Sequence, residues 1–152
     1  MKRIFAAVVI LSGLTVGVAA QKTDDKAAAL AVVNKLFDEM AAANAAGILA
    51  TGTPENQLVA IRKLKDGKTR VDVIGGEAFT KFFTKPGAIK ELMYAPKVEV
   101  SGDWAMVWGR YVFFVGNKIS HCGINQFNLV RTDGGIDQMA SAVNNSTSLS
   151  MS

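Results

Sequence analysis

The chain has 152 residues and a formal net charge of +4, with one histidine and one cysteine. A single cysteine excludes an internal disulfide, and the single His and Cys leave a zinc centre to be built from carboxylates around His121 alone. Two of the basic residues, Lys2 and Arg3, belong to an N-terminal leader; without them the charge is close to balanced. The scattered Lys63, Lys65, Lys68 and Arg70 then read as a solvated face, not a nucleic-acid patch.

The leader MKRIFAAVVILSGLTVGVAA pairs those two charges with an apolar run from Ile4 to about Leu14. Val18 and Ala20 stand at the small-residue positions of a signal-peptidase site. The run is short for a membrane span. A signal peptide over residues 1–20 is expected, with a periplasmic or secreted product that starts at Gln21 and has no membrane attachment.

Next comes DDKAAALAVVNKLFDEMAAANAAGILA. Thr23 or Asp24 is a plausible N-cap, and Leu30, Val33, Leu36, Phe37 and Met40 recur at helical spacing. A second short helix is expected over Ala45 to Leu49, with TGTPEN as a break. QLVAIRKLKDGKTRVDVIG predicts a hairpin turning at Asp66-Gly67. GEAFTKFFTKPG predicts a helix stopped by Pro86-Gly87. Four strands are then expected at about IKELMYAPKVEVS, WAMVWGRYVFFV, ISHCGINQFNLVR and IDQMASAV, separated by Gly-containing turns. A helical layer followed by long strands predicts α+β, with helices on one face of a curved antiparallel sheet. The Ser/Asn-rich end, residues 144–152, lacks a core pattern and reads as a frayed or disordered tail. The folded domain is thus expected over residues 21–143.

Alternation in the strands sorts the candidate site residues. In a regular strand His121, Gly123, Asn125, Phe127 and Leu129 share one face and Cys122, Ile124, Gln126 and Asn128 the other. Phe127 and Leu129 mark the first face as the concave one. His121 and Cys122 then cannot form a nucleophile–base dyad, which needs hydrogen-bond reach. Tyr111 and Phe113 alternate on the preceding strand, and Tyr94 with Met93 competes for the same space. The ligand-binding candidates are therefore His121, Asn125, Tyr111, Phe113 and Tyr94, an apolar face with a few convergent polar groups. Plain core is the competing reading for the aromatics, and a satisfied, partly buried imidazole for His121. Trp108, Arg110 and Phe114 fall on the outer face, where so much apolar and planar surface predicts a homodimer.

The order helix, short helix, hairpin, helix and three long strands resembles the nuclear transport factor 2-like superfamily, the cone shared with ketosteroid isomerase and the SnoaL-like polyketide cyclases. The likeness rests on LFDEMAAANAAGILATGTPENQLVAIR and on VEVSGDWAMVWGRYVFFVGNKISHCGINQFNLVRTDGG, and it spans Ala27 to about Ala142. It is closer still to small exported bacterial members, some labelled lumazine-binding. The resemblance implies a cone-shaped sheet with N-terminal helices on its concave face, a pocket and frequent dimers. It implies no reaction, because one fold hosts many functions. Where relatives usually carry a carboxylate, this chain has Asn125.

Three functions follow as expectations. The first is an exported, non-catalytic binder of a small apolar or aromatic molecule, without cofactor or metal. The second is an acid/base isomerase or dehydratase, which requires an inward Asp or Glu near His121 or Tyr111. The third is an interaction module whose cone is filled. Asp38, Glu39, Glu55, Asp66, Asp72 and Glu99 supply no clear base from their positions in the sequence.

Overall fold

The computed structural model describes residues 16–148 apart from Lys65. The elements in chain order are α1 (Val16–Ala41), α2 (Ala45–Ala50), β1 (Gly52–Lys63), β2 (Thr69–Gly75), α3 (Gly76–Thr80), β3 (Ile89–Ser101), β4 (Trp104–Val115), β5 (Lys118–Thr132) and β6 (Gly135–Ser148). Most of the expected leader, residues 1–15, lies outside the described residues. Among those described, no helix is long and apolar enough to cross a membrane.

Helix α1 runs through Thr23 and Asp24 instead of beginning there. No proline interrupts the stretch, and Ala19 and Ala20 are strong helix formers. Its apolar stripe, Ala29, Val33, Leu36, Phe37 and Met40, is buried. The stripe packs on Val107, Phe127, Leu129, Ile136 and Met139 of the sheet in one continuous core, with Phe37 and Phe127 edge to face at 5.8 Å. Helix α2 is held at its start by Asn44. Its Oδ1 accepts from the Gly47 amide at 3.1 Å, and its Nδ2 donates to Glu39 Oε2 at 2.7 Å.

The six strands form one curved, unclosed sheet in the order β2-β1-β6-β5-β4-β3. The α+β class and the expected antiparallel pairing hold across the sheet except at one seam: β1 and β6 run parallel. Bulges interrupt the ladders, as between Tyr94 and Lys97 on β3 and at Ser120 on β5, opposite Phe113 and Phe114. Such extra residues bend strands and raise the local twist, which curls the sheet around α1. Gly123 permits close approach of β5 and β6, since a Cβ there would lie 1.9 Å from the Asn145 carbonyl oxygen.

Two expected boundaries shift. Strand β1 starts at Gly52, inside the expected break, with a register shift between Gly52 and Gln57 accommodating Pro54. The end expected to fray instead extends β6 to Ser148, with Asn144 to Thr147 paired to β1 on one side and β5 on the other. With both edges paired, these polar residues lie inside a sheet. They show no core pattern because the inward ones, Asn144 and Ser146, face a cavity. Residues 149–152 lie outside the described residues.

Candidate functional site

Between α1, the short helices and the concave face of the sheet lies a cavity of about 590 Å³. Most of its wall is apolar, including Leu36, Phe37 and Met40 from α1, Phe79 from α3, Phe82 and Phe83 just after it, and Phe113 and Phe127 from the sheet. Phe79 and Phe83 meet edge to face at 4.9 Å, which fixes one flank. The polar groups come mainly from strands, among them Glu91 on β3, His121 and Asn125 on β5, Asn144 and Ser146 on β6, and Arg62 and Lys63 on β1.

Glu91 escaped the reading of the sequence. It pairs across β3 and β4 with Phe113, which pairs in turn with His121, so the three stand in one cross-strand row on the concave face. Its signal was the alternation Ile89, Glu91, Met93, an acid set among apolar residues on one face. The carboxylate is buried, and its Oε1 accepts a short hydrogen bond from Asn125 Nδ2. Burial pushes its pKa from an ordinary 4.5 up to about 7, against the opposing pull of the Asn125 bond.

Behind this pair runs a chain of donors. Tyr111 Oη donates to Asn144 Oδ1 at 3.1 Å, Asn144 Nδ2 donates to Asn125 Oδ1 at 2.7 Å, and Asn125 donates to Glu91. Each amide uses one donor and one acceptor inside the chain, so both planes are locked. Burial pushes the Tyr111 phenol up to about 12, aided by the Glu91 charge and opposed by the Asn144 bond.

The five candidates from the sequence separate in space. His121, Asn125 and Phe113 line the cavity together. The His121 ring stacks on Phe113 at 4.6 Å and meets Tyr111 edge on at 5.7 Å. Its Nδ1 lies 3.1 Å from Ser120 Oγ. Burial first, then the nearby Arg62 charge, lowers its pKa. Tyr111 is only 1 % exposed and sits behind the wall, acting through Asn144. Tyr94 is outside: it pairs with Arg110 on the outer face and is half-exposed, while its neighbour Met93 pairs with Tyr111 and turns inward. Cys122, paired with Val112, faces away from His121. Of the acids weighed from sequence, Glu99 is exposed and Asp72 half-buried at the sheet edge.

Solved structures resemble this architecture closely. A protein from Novosphingobium aromaticivorans, described as NTF2-like with a cystatin-like fold, superposes with a TM-score of 0.69 at 14% identity, over 93% of this chain and 94% of that one. The fold is that of the NTF2-like proteins. A Mycobacterium tuberculosis protein described as of unknown function superposes on the same NTF2-like cone with a TM-score of 0.67 at 18% identity, covering 88% of this chain and 78% of its own. A ketosteroid isomerase-like protein from Erwinia carotovora atroseptica does so with a TM-score of 0.55 at 16% identity, covering 84% and 98%. Identities this low speak to the NTF2-like fold alone. A scan against protein-family models finds no match, and a search of the curated proteins finds none.

Proposed function

We propose that the cone binds a small, largely apolar or aromatic molecule and orients it by one polar edge. The supporting observation is the cavity itself: an aromatic wall with the bonded pair Glu91 and Asn125 and the His121 imidazole set into it. That is the make-up of small-molecule sites generally, where apolar area supplies affinity and a few placed polar groups supply orientation. Native mass spectrometry of the protein purified from its own source tests the reading. A retained small molecule, lost on denaturation, is expected; a cavity that takes up neither native ligand nor apolar probe would overturn it.

A second reading has its own observation. Glu91 is an inward carboxylate bonded by Asn125, with a pKa near neutrality, the range in which a general base works best. It supports acid/base chemistry on a carbonyl compound, of the isomerase or dehydratase type. Deuterium exchange next to a ketone carbonyl in heavy water, lost in Glu91→Gln, would favour turnover over simple binding. No exchange with any bound ketone would leave binding as the function.

Export and self-association complete the proposal. The leader supports cleavage after Ala20, tested by N-terminal sequencing of the secreted or periplasmic protein. The outer sheet face carries the exposed apolar residues Val71, Val73, Tyr94 and Ile124, which supports pairing with a second copy.

A further inference from the structure

We infer that the molecule taken into the cone carries an anionic group, seated at the β1 wall against Arg62. This rests on the small-molecule reading above and names the ligand's chemistry. The charges of the site lie at opposite sides of the sheet. Arg62 on β1 stands in a cross-strand row with Ser146, Gly123, Tyr111 and Met93. Glu91 lies one inward position from Met93, so four strand steps separate the backbone of Arg62 from that of Glu91. The two form no ion pair: Arg62 faces Asp72 and Glu91 is bonded by Asn125, and both line the same aromatic cavity.

Arg62 is also under-matched on its own side. Its cross-strand partner on β2 is Arg70, and the two guanidinium groups share one carboxylate, Asp72. Arg70 takes the good contact, with Nε donating to Asp72 Oδ1 at 2.9 Å. Arg62 is left 3.7 Å from Asp72 Oδ2, beyond hydrogen-bond length, and that buried oxygen has no hydrogen-bond partner. Two cations on one anion leave a net positive charge, and Lys63 on the same rim adds to it. The field of Arg62 reaches into the site, since it is one of the causes that hold His121 low. Ser120 and the neutral His121 imidazole stand beside this charge with hydrogen bonds to offer. Exposed Leu64 and Phe82 give the same rim an apolar lip. The arrangement fits an amphiphile, with an aromatic or aliphatic body inside and a carboxylate or similar anion at Arg62.

Two fluorescent probes share a body and differ in charge: N-phenyl-1-naphthylamine is neutral, and 8-anilinonaphthalene-1-sulfonate adds a sulfonate. The full chain should bind the sulfonate about tenfold more tightly, a difference of about 1.4 kcal/mol. Arg62→Met should remove most of that preference and leave the neutral probe unchanged. Ala60→Phe, which fills the cavity, should abolish both. Equal affinities in the wild type, or an unchanged sulfonate affinity in Arg62→Met, would overturn the anion site and leave the apolar cavity standing. Binding of neither probe, or full binding in Ala60→Phe, would overturn the cavity reading together with it.

Discussion

Asn125 donates its amide to Glu91, and in doing so commits one oxygen of the only acid lining the cavity among the described residues. The other oxygen remains for a proton or a ligand. Asn125 can hold this orientation because Asn144 donates to its Oδ1 and Tyr111 donates to Asn144. The tyrosine is therefore a positioning residue for the carboxylate.

Glu91 should make the protein less stable as pH rises. Below 4.5, its ordinary value, it is protonated folded and unfolded, and contributes no penalty. Between 4.5 and about 7 the unfolded chain ionises while the folded one keeps its proton, so the folded state loses ground. Above that the full penalty, about 3 kcal/mol, is in place. Glu91→Gln removes it. In urea unfolding the variant should gain on the wild type by about that amount between about pH 4 and pH 8. A gap that does not change with pH would mean that Glu91 ionises as if in water.

Tyr111→Phe keeps the ring and removes one donor. Asn144 Oδ1 then lacks its partner in a largely buried place, which should cost about 1–2 kcal/mol in chemical denaturation. Stability equal to the wild type would show that the phenol is not needed to hold the amides.

Gly123→Ala should be worse, although it adds a single methyl group. The new Cβ would fall 1.9 Å from the Asn145 carbonyl oxygen, and a backbone atom cannot swing away as a side chain can. Strands β5 and β6 must part, and a loss of about 3 kcal/mol is expected in thermal or urea unfolding. A well-folded variant of unchanged stability would contradict the close approach of these strands.

His121 and Cys122 should behave as residues of different faces. His121→Ala removes a ring stacked on Phe113 in the cavity wall and should weaken binding of the neutral naphthylamine probe by about 1–2 kcal/mol. Cys122→Ser, on the outer face, should leave it unchanged. The reverse pattern would place β5 one residue out of register.

The outer face offers a test of self-association. Ile124 is exposed there and pairs with Arg110 across β4, so Ile124→Lys sets a second positive charge beside the first. Trp108→Glu is a weaker probe, because Lys97 already lies 4.9 Å over the Trp108 ring and would neutralise the new carboxylate. Sedimentation should show a dimer in the wild type and a monomer in Ile124→Lys, since unpaired charges are costly to bury. A dimer that survives would exclude this face as the contact.

The sequence by itself determined the class and much of the geometry. Spacing of Val33, Leu36, Phe37 and Met40 was enough for the packing face of α1, and Phe127 and Leu129 were enough to turn His121 and Asn125 inward. Both rest on local periodicity, which each segment carries in its own residues. What only the tertiary structure decided depends on which strands are neighbours. Tyr94 and Met93 are equivalent in a pattern, and pairing with β4 alone sends Met93 inward and Tyr94 out. Residues from Asn144 to Ser148 look like a tail because their inward members are polar, yet insertion between β1 and β5 makes them strand. Glu91 is marked in the pattern only by its apolar neighbours Ile89 and Met93, and its partner Asn125, 34 residues further on, is brought against it by the fold. A buried polar group is tolerable only with a partner, and partners distant in sequence are supplied by the fold.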